Sequence, residues 1–163
     1  PVLRENFIER VYVYARWQKL EKEGLSPRAL MAFHRDHKLT LLAHDEVTYR
    51  KLGPIVAKAR PENIEASAEQ YVSLMMEAMK KRATRKTHTN ALMHAVGHLK
   101  KVMERDEKAE MNELLERYRN GLVPLIVPMT LLKHHLRKNP APYIESQHYL
   151  QPYPETLMLR NSL

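Results

Sequence analysis

The sequence contains no cysteine, and this absence excludes more chemistry than any other feature of its composition. Without thiols the chain has no disulfides, no iron–sulfur ligands, no thiolate zinc site and no cysteine nucleophile. No apolar run reaches the roughly 18 residues that a membrane-spanning helix needs, and no signal peptide is visible. We therefore expect a cytoplasmic protein.

Glycine is also scarce, with four in 163 residues, and runs of β-branched residues are few. Alanine, leucine, methionine, glutamate, lysine and arginine are frequent, and these residues favour helix over sheet. The length suits one domain with a full-sized core, and there is no internal repeat or low-complexity linker. The expected fold class is all-α, a single compact multi-helix bundle.

Start and stop signals divide the chain into helices. The first is predicted from Leu3 to Glu23, with Phe7, Val11, Tyr14 and Trp17 at helical spacing and Gly24 as its end. Gly53-Pro54 is expected to interrupt a later helix, and residues 151–163, which contain two prolines, are expected to form an extended C-terminal tail. The other predicted helices cover Ser26–His44, Asp45–Leu52, Pro61–Arg82, Asn90–Met103, Asp106–Gly121, Thr130–Asn139 and Tyr143–Leu150.

Acidic residues are absent from Ala78 to Met103, a stretch that holds seven lysines or arginines. The whole chain has a formal net charge of +8 and a sequence pI near 9.7. Such a balance favours polyanionic partners, nucleic acid first and an anionic membrane second. Because the segment that follows Met103 is acidic on balance, the positive charge is localised.

Within this stretch a polar basic turn leads into a helix. Thr87 or Thr89 can serve as the N-cap. Leu92, Val96, Leu99 and Met103 share one face, which we expect to be buried; the opposite face carries Asn90, His94, Gly97, His98 and Lys101. The N-terminus of this helix lies close to Arg82, Arg85, Lys86 and His88, and a helix N-terminus with basic residues nearby suits a phosphate. The alternative, a solvated face on a core helix, stays open.

Nine histidines raise the possibility of a metal site. Spacing alone cannot assemble one across helices without thiolates, and His-Glu-x-x-His is absent. The alternative is that some histidines are hydrogen-bonded in the core and others face an anion. We therefore predict no metal and no cofactor. The pairs considered are His34 with His37, His94 with His98, and Glu145 with His148.

A second basic cluster lies near the C-terminal end of the chain. It consists of Lys133, His134, His135, Arg137 and Lys138. The cluster can extend a phosphate-binding surface, or its cations can simply complement the dipole at a helix end. Both interpretations stay open.

Five segments, in this order, resemble the motifs of the YbgA-like domain of unknown function. They are FHRDHKLTLLAH, YRKLGPIVA, HTNALMHAVGHLKK, YRNGLVPLIVPMTLLKHH and QHYLQPYPETLMLRN. The resemblance covers nearly the whole chain from about Leu25 onward. One departure is His98, where the family pattern has an aromatic residue, usually tyrosine.

The opening segment LRENFIERVYVYARW resembles the junction that follows a thiouracil-desulfidase-like domain in longer relatives. We therefore divide the chain into an N-terminal helix, residues 1–24, and a YbgA-like helical domain, residues 25–163. The chain begins at Pro1 without an initiator methionine, so a fragment of a longer protein, or a processed product, is possible. The resemblance implies that catalysis, with its iron–sulfur cysteines, belongs to the upstream domain, and that this chain helps to bind thiolated tRNA.

The sequence thus predicts a helical, non-catalytic module that binds structured RNA, most plausibly tRNA. The alternatives are a histidine-rich small-molecule or metal-dependent enzyme, and a scaffold or oligomerisation domain. The predicted contact residues are Arg82, Arg85, Lys86, His88, Asn90, His94 and Lys101, with Lys133, His134 and Arg137 as an extension.

Overall fold

A computed structural model describes residues 2–162, so Pro1 and Leu163, which belong to the predicted segments 1–24 and 25–163, lie outside the described residues. Residues 2–162 form helices joined by short turns, with no β-strand among them, which confirms the all-α class. The helices are α1 (Val2–Glu23), α2 (Pro27–Asp36), α3 (Lys38–His44), α4 (Glu46–Lys58), α5 (Ile64–Lys80), α6 (Arg85–Gly97), α7 (Arg105–Arg119), α8 (Ile126–Lys138) and α9 (Pro142–Glu145).

Helix α3 lies at the centre of the molecule. Its residues from Leu39 to His44 are all buried, and it packs against α4, α5 and α6. Two apolar clusters meet there: one includes residues of α6, α7 and α8, and the other residues of α1, α2, α4 and α5. Since α3 contributes leucines to both clusters, it joins the two halves into one core.

Two caps are confirmed. The Ser26 hydroxyl accepts the Ala29 N–H at 3.0 Å, with Pro27 as the first residue of α2. The Asp45 carboxylate accepts the Thr48 N–H at the start of α4. In each case the side chain satisfies a first-turn donor that the helix itself leaves unpaired.

Several predicted boundaries are wrong, among them the span Tyr143–Leu150, which divides into α9 and a 3₁₀ turn at His148–Leu150. The predicted helix Ser26–His44 is broken at His37, which separates α2 from α3. The predicted break at Gly53-Pro54 does not occur, because α4 continues through Pro54 to Lys58 while packed against α5. The predicted Asp106 cap is replaced by Glu104, whose N–H is bonded by Glu107 at 2.8 Å.

Helix α1 turns a different face inward from the one its strongest apolar spacing suggests. Val13 and Trp17 are buried in the core, whereas Phe7, Val11 and Tyr14 are each about half exposed, at 54%, 46% and 46%. Trp17 stacks on Tyr71 of α5, with ring centroids 5.7 Å apart. The orientation of α1 is therefore set by its packing on α5.

The C-terminal tail returns across the bundle after Leu150. It contains one turn of 3₁₀ helix, Glu155–Leu157, and no longer helix within the described residues. The Pro152 carbonyl accepts a hydrogen bond from Arg16, and Arg160 and Tyr153 both bond to Glu5 of α1. The tail thus connects to the first helix of the fold.

Candidate nucleic-acid interface

Helix α6 begins earlier than the sequence predicted. Its N-cap is Thr84, not Thr87 or Thr89. The Thr84 hydroxyl accepts the Thr87 N–H at 3.2 Å, and the Thr87 hydroxyl accepts the Thr84 N–H at 2.8 Å. This reciprocal pair places Arg85 and Lys86 in the first helical turn.

The chain before α6 is held by the end of α3. The His44 Nδ1–H donates to the Lys81 carbonyl at 2.7 Å, and the Lys81 Nζ lies 2.6 Å from the buried Asp45 carboxylate. A neighbouring residue, Arg82, remains exposed. The buried side of this turn is therefore fixed while its outer side is free to bind a ligand.

The arginines and lysines around α6, together with two polar side chains between them, form what we call the α6 basic surface. It consists of the cations Arg82, Arg85, Lys86, Lys100 and Lys101 and the polar residues Asn90 and His94. Within residues 2–162 none of its lysines and arginines lies within 4.0 Å of a carboxylate oxygen. Their charge is therefore available to an anionic ligand.

Arg85 differs from the other cations because it is half-buried. Its guanidinium carbon lies 6.0 Å from the centroid of the Tyr118 ring, a cation–π distance. It also lies beside Gly121, where a Cβ atom would come within 3.5 Å of the guanidinium. Arg85 is thus a structural as well as a charged residue.

The two predicted faces of α6 are confirmed. Leu92, Val96, Leu99 and Met103 are at most 4% exposed. His94, Gly97, His98 and Lys101 are exposed, and Asn90 is half-buried.

His88 does not lie on the exposed face with these residues. It is 6% exposed, and its Nδ1 lies 2.7 Å from the Tyr149 hydroxyl. Burial, together with the charge of Arg160, lowers the pKa of His88 to about 3, so the ring is neutral near pH 7. The structure therefore places this predicted contact residue in the interior, because helical periodicity turns it toward the core.

A buried ionic network that the sequence did not predict lies beneath the basic turn. The His44 Nε2 lies 2.9 Å from Glu9 Oε2, while its Nδ1 faces the Lys81 carbonyl. Because both ring nitrogens face oxygens that only accept, His44 carries both protons and is an imidazolium. Burial opposes this charge, but Glu9 raises the pKa of His44 above its usual value.

Arg160 completes the network from the C-terminal tail. Its Nε donates to Glu5 at 3.0 Å, its Nη1 donates to the Tyr149 carbonyl at 2.6 Å, and its Nη2 lies 3.8 Å from Glu9. Burial alone raises the pKa of Glu9, but His44 and Arg160 outweigh it and lower that pKa to about 2. The apolar pattern around His44 indicates its burial; no local signal identifies Arg160 as its neighbour.

A small cavity of about 110 Å³ opens at the N-terminus of α6. Thr84, Arg85, His88, Tyr118 and Arg160 contribute to its walls. The cavity adjoins a helix N-terminus and two arginines, a setting that favours an anion. Glu5, which also lines it, is neutralised by its pairing with Arg160.

Of the predicted extension on α8, only some residues are exposed and without an ion pair in the described chain. Lys133 pairs with Glu155 at 2.8 Å, whereas His134 and Arg137 are exposed, and His135 is buried. Lys133 and Arg137 line a larger cavity of about 410 Å³, which shares the wall residues Leu159 and Arg160 with the small cavity at α6. The tail thus lies between the two basic regions.

Four of the nine histidines make hydrogen bonds within the described chain. His34 bonds to the Tyr71 hydroxyl at 3.0 Å and His37 to the Phe33 carbonyl at 2.8 Å, in addition to the bonds of His44 and His88. Among residues 2–162, no three histidine, aspartate or glutamate side chains come together in an arrangement that could hold a metal ion. In the same range, no helix has the length and apolar character needed to cross a bilayer.

Comparison with known proteins agrees with the motifs described above. The family model described as "Protein of unknown function (DUF1722)" matches residues 38–154. The chain is 31% identical over 154 residues to the "Uncharacterized protein YbgA" of Escherichia coli (strain K12), a match that covers 94% of this chain and 91% of that protein. No solved structure shows a significant match. The chain therefore belongs to the YbgA-like family of proteins of unknown function, DUF1722.

Proposed function

We propose that this chain is an RNA-binding module that contacts RNA phosphates through the α6 basic surface. The observation that carries the proposal is the set of cations around α6 that have no carboxylate partner among the described residues. A solvated helix face normally mixes both signs of charge, whereas the sequence from Ala78 to Met103 contains no acid. The surplus charge is thus concentrated on one side of the bundle.

The dimensions of the surface suit a nucleic-acid backbone. The 13 residues of α6 span about 20 Å, with Arg82 and Lys86 near one end and Lys100 and Lys101 beyond the other. Cations at both ends can contact several phosphates at once. Asn90 and His94, on the same side, can add hydrogen bonds to phosphate, ribose or base.

We further propose that the RNA is tRNA and that the chain acts in the cytoplasm beside a desulfidase that removes sulfur from thiolated bases. The resemblance of the opening segment to the junction after a desulfidase-like domain supports this assignment. In this arrangement catalysis belongs to the cysteine-containing partner, and the present chain holds the substrate. Finding such a domain encoded directly upstream, or a complex between the two proteins, tests the partnership.

The RNA contact is tested by replacing Arg82 and Lys86 together with alanine. Both side chains are exposed and form no ion pair within residues 2–162, so the free energy of unfolding should change little. The matched control replaces Arg28 of α2 and Lys58 of α4 with alanine, which removes the same amount of positive charge elsewhere on the surface. The measurement is tRNA titration at several salt concentrations, with thermal melts alongside.

We expect the Arg82/Lys86 variant to bind tRNA more weakly and to lower the slope of log affinity against log salt by about one unit per lost phosphate contact. The Arg28/Lys58 control should keep most of the affinity. Equal affinity and slope in the two variants, with intact melts, would show that the α6 basic surface does not bind RNA.

A further inference from the structure

The cavity between α8 and the C-terminal tail has the features of a built binding site. Its volume of about 410 Å³ lies within the range typical of small-molecule pockets. The half-buried Ile126 and Leu159 contribute its accessible apolar walls, while Met129 and Leu150 also line it but are only 1% and 9% exposed. The cavity therefore offers a flat or apolar group a surface that is already formed.

Two cations stand on one side of this cavity. Lys133 and Arg137 are four residues apart on α8, so they lie one above the other on the same face of the helix. Arg137 has no carboxylate within ion-pair distance in the described chain, and Lys133 pairs only with Glu155, whose side chain is 68% exposed. Because an exposed pair of this kind contributes little, a ligand anion can replace Glu155 at small cost.

The tail forms the opposite wall of the cavity, and hydrogen bonds and ion pairs of Arg160 fix its position. The Ile126 N–H donates to the Arg160 carbonyl at 3.1 Å, and the Arg160 side chain is anchored in the buried ionic network. Met158, on this wall, has a left-handed backbone with φ of 51°, which is uncommon for a non-glycine residue. The amides of Gln151 and Asn161 also line the cavity and can bond to polar edges of a ligand.

This combination selects a particular class of ligand. An apolar molecule would leave Arg137 and Lys133 without a role, and a bare inorganic anion would leave the apolar walls uncovered. A ring system with polar edges, joined to a phosphate, satisfies the walls, the amides and the cations together.

We propose that the cavity between α8 and the tail binds one nucleotide, with its base against Ile126 and Leu159 and its phosphate between Lys133 and Arg137. Two sources can supply this chemistry: an unstacked nucleotide of a bound RNA, or a free mononucleotide. The RNA source rests on the proposed function, whereas the cavity itself does not.

The test uses uridine and adenosine monophosphates as probes, with the parent nucleosides and inorganic phosphate for comparison, in isothermal titration calorimetry. Thr130→Trp places a large ring at the exposed rim of the cavity without altering the buried core, and Arg137→Met removes the unpaired cation. The matched controls lie on α7 outside the cavity: Glu110→Trp for the added ring and Arg117→Met for the lost charge. Thermal melts check that each variant is folded.

We expect one mononucleotide to bind per chain, with at least a tenfold loss in Thr130→Trp and Arg137→Met and no comparable loss in the α7 controls. Arg137→Met should weaken the mononucleotide more than the nucleoside, because it removes the phosphate contact. Absence of mononucleotide binding, or unchanged binding in a folded Thr130→Trp protein, overturns the proposal. If the Thr130→Trp protein does not fold, unchanged mononucleotide binding in Arg137→Met overturns the proposal.

The same variants distinguish the two sources. If RNA supplies the nucleotide, mononucleotide competes with tRNA, and Thr130→Trp weakens tRNA binding and lowers its salt slope by about one unit for the phosphate that no longer reaches Lys133 and Arg137. If tRNA binding is indifferent to Thr130→Trp while the mononucleotide is lost, the site binds a free nucleotide, and the cavity assignment still holds. Failure of RNA binding at the α6 basic surface appears separately, in the Arg82/Lys86 variant, which should retain mononucleotide binding.

Discussion

Two histidines that are buried in the neutral form should make this protein sensitive to mild acid. His37 is 1% exposed and His88 is 6% exposed. Burial, aided by His148 at His37 and by Arg160 at His88, lowers the pKa of each from 6.5 to about 3. Between those values the unfolded chain binds more protons than the folded one, so stability rises with pH and falls as the solution is acidified.

The size of the effect follows from the usual histidine pKa. At pH 5 an unfolded histidine is almost fully protonated, while the two buried rings are not, and each ring then costs about 2 kcal/mol of unfolding free energy. His44 acts in the opposite direction, because its pKa is raised: its contribution is complete below 6.5 and is lost as the pH rises. His44 therefore recovers part of the loss on acidification, whereas the half-buried His34 and His148, whose pKa values burial lowers to about 4, add to it. The two fully buried rings together account for a loss of about 4 kcal/mol.

The assay is urea denaturation at pH 7, 6 and 5 in constant salt. A loss of about 4 kcal/mol corresponds to a fall in melting temperature of roughly 8–16 °C for a chain of this length. His88→Phe removes one of the two groups, so its acid-induced loss should be smaller by about 2 kcal/mol, although the variant starts less stable without the Tyr149 hydrogen bond. His94→Phe, on the exposed side of the same helix, is the control for removing an imidazole. Unfolding free energy that does not change between pH 7 and pH 5, or a His88→Phe protein with the full loss, refutes the reasoning.

Two further predictions concern the buried network and a glycine turn. Glu9→Gln leaves the imidazolium of His44 buried without its counter-charge, and should lower the unfolding free energy by about 3–5 kcal/mol in urea titrations at pH 7; a loss below about 1 kcal/mol would contradict the ionic assignment. Gly121→Ala should cost about 1 kcal/mol in the same assay, because φ is +75° and this left-handed conformation is unfavourable for a residue with a Cβ. Its matched control is Gly97→Ala in α6, where the Cβ has open space and helix propensity predicts a gain, so equal effects at the two glycines would be the contrary result.

Local patterns in the sequence predicted most of the helices. The hydrogen bonds of a helix join residues four apart, and its apolar face repeats every 3.6 residues, so both are encoded by close neighbours. This explains the correct Ser26 and Asp45 caps and the buried face of α6 from Leu92 to Met103. The same locality explains the error at Thr84, since several threonines could cap this turn and only the reciprocal pair with Thr87 decides among them.

The tertiary structure alone decided which surfaces are buried where packing and periodicity compete. Four apolar residues of α1 follow a helical spacing, but the docking of α1 on α5 buries only Trp17 among them, together with Val13, and leaves Phe7, Val11 and Tyr14 about half exposed. His88 lies four residues before Leu92 and eight before Val96, so helical periodicity already indicates its burial. Its hydrogen-bond partner, the Tyr149 hydroxyl, lies 61 residues further along the chain and is specified only by the tertiary structure.

The sequence by itself determined the helical class, the localised positive charge and the absence of thiol chemistry, because each follows from composition or from short-range order. It could not place Glu9, His44 and Arg160 in one network, nor Lys133 and Arg137 beside a cavity walled by the tail. The pairing of Arg160 with Glu5 joins residues 155 positions apart. Contacts of that separation depend on how all the helices pack together, and only the folded chain specifies them.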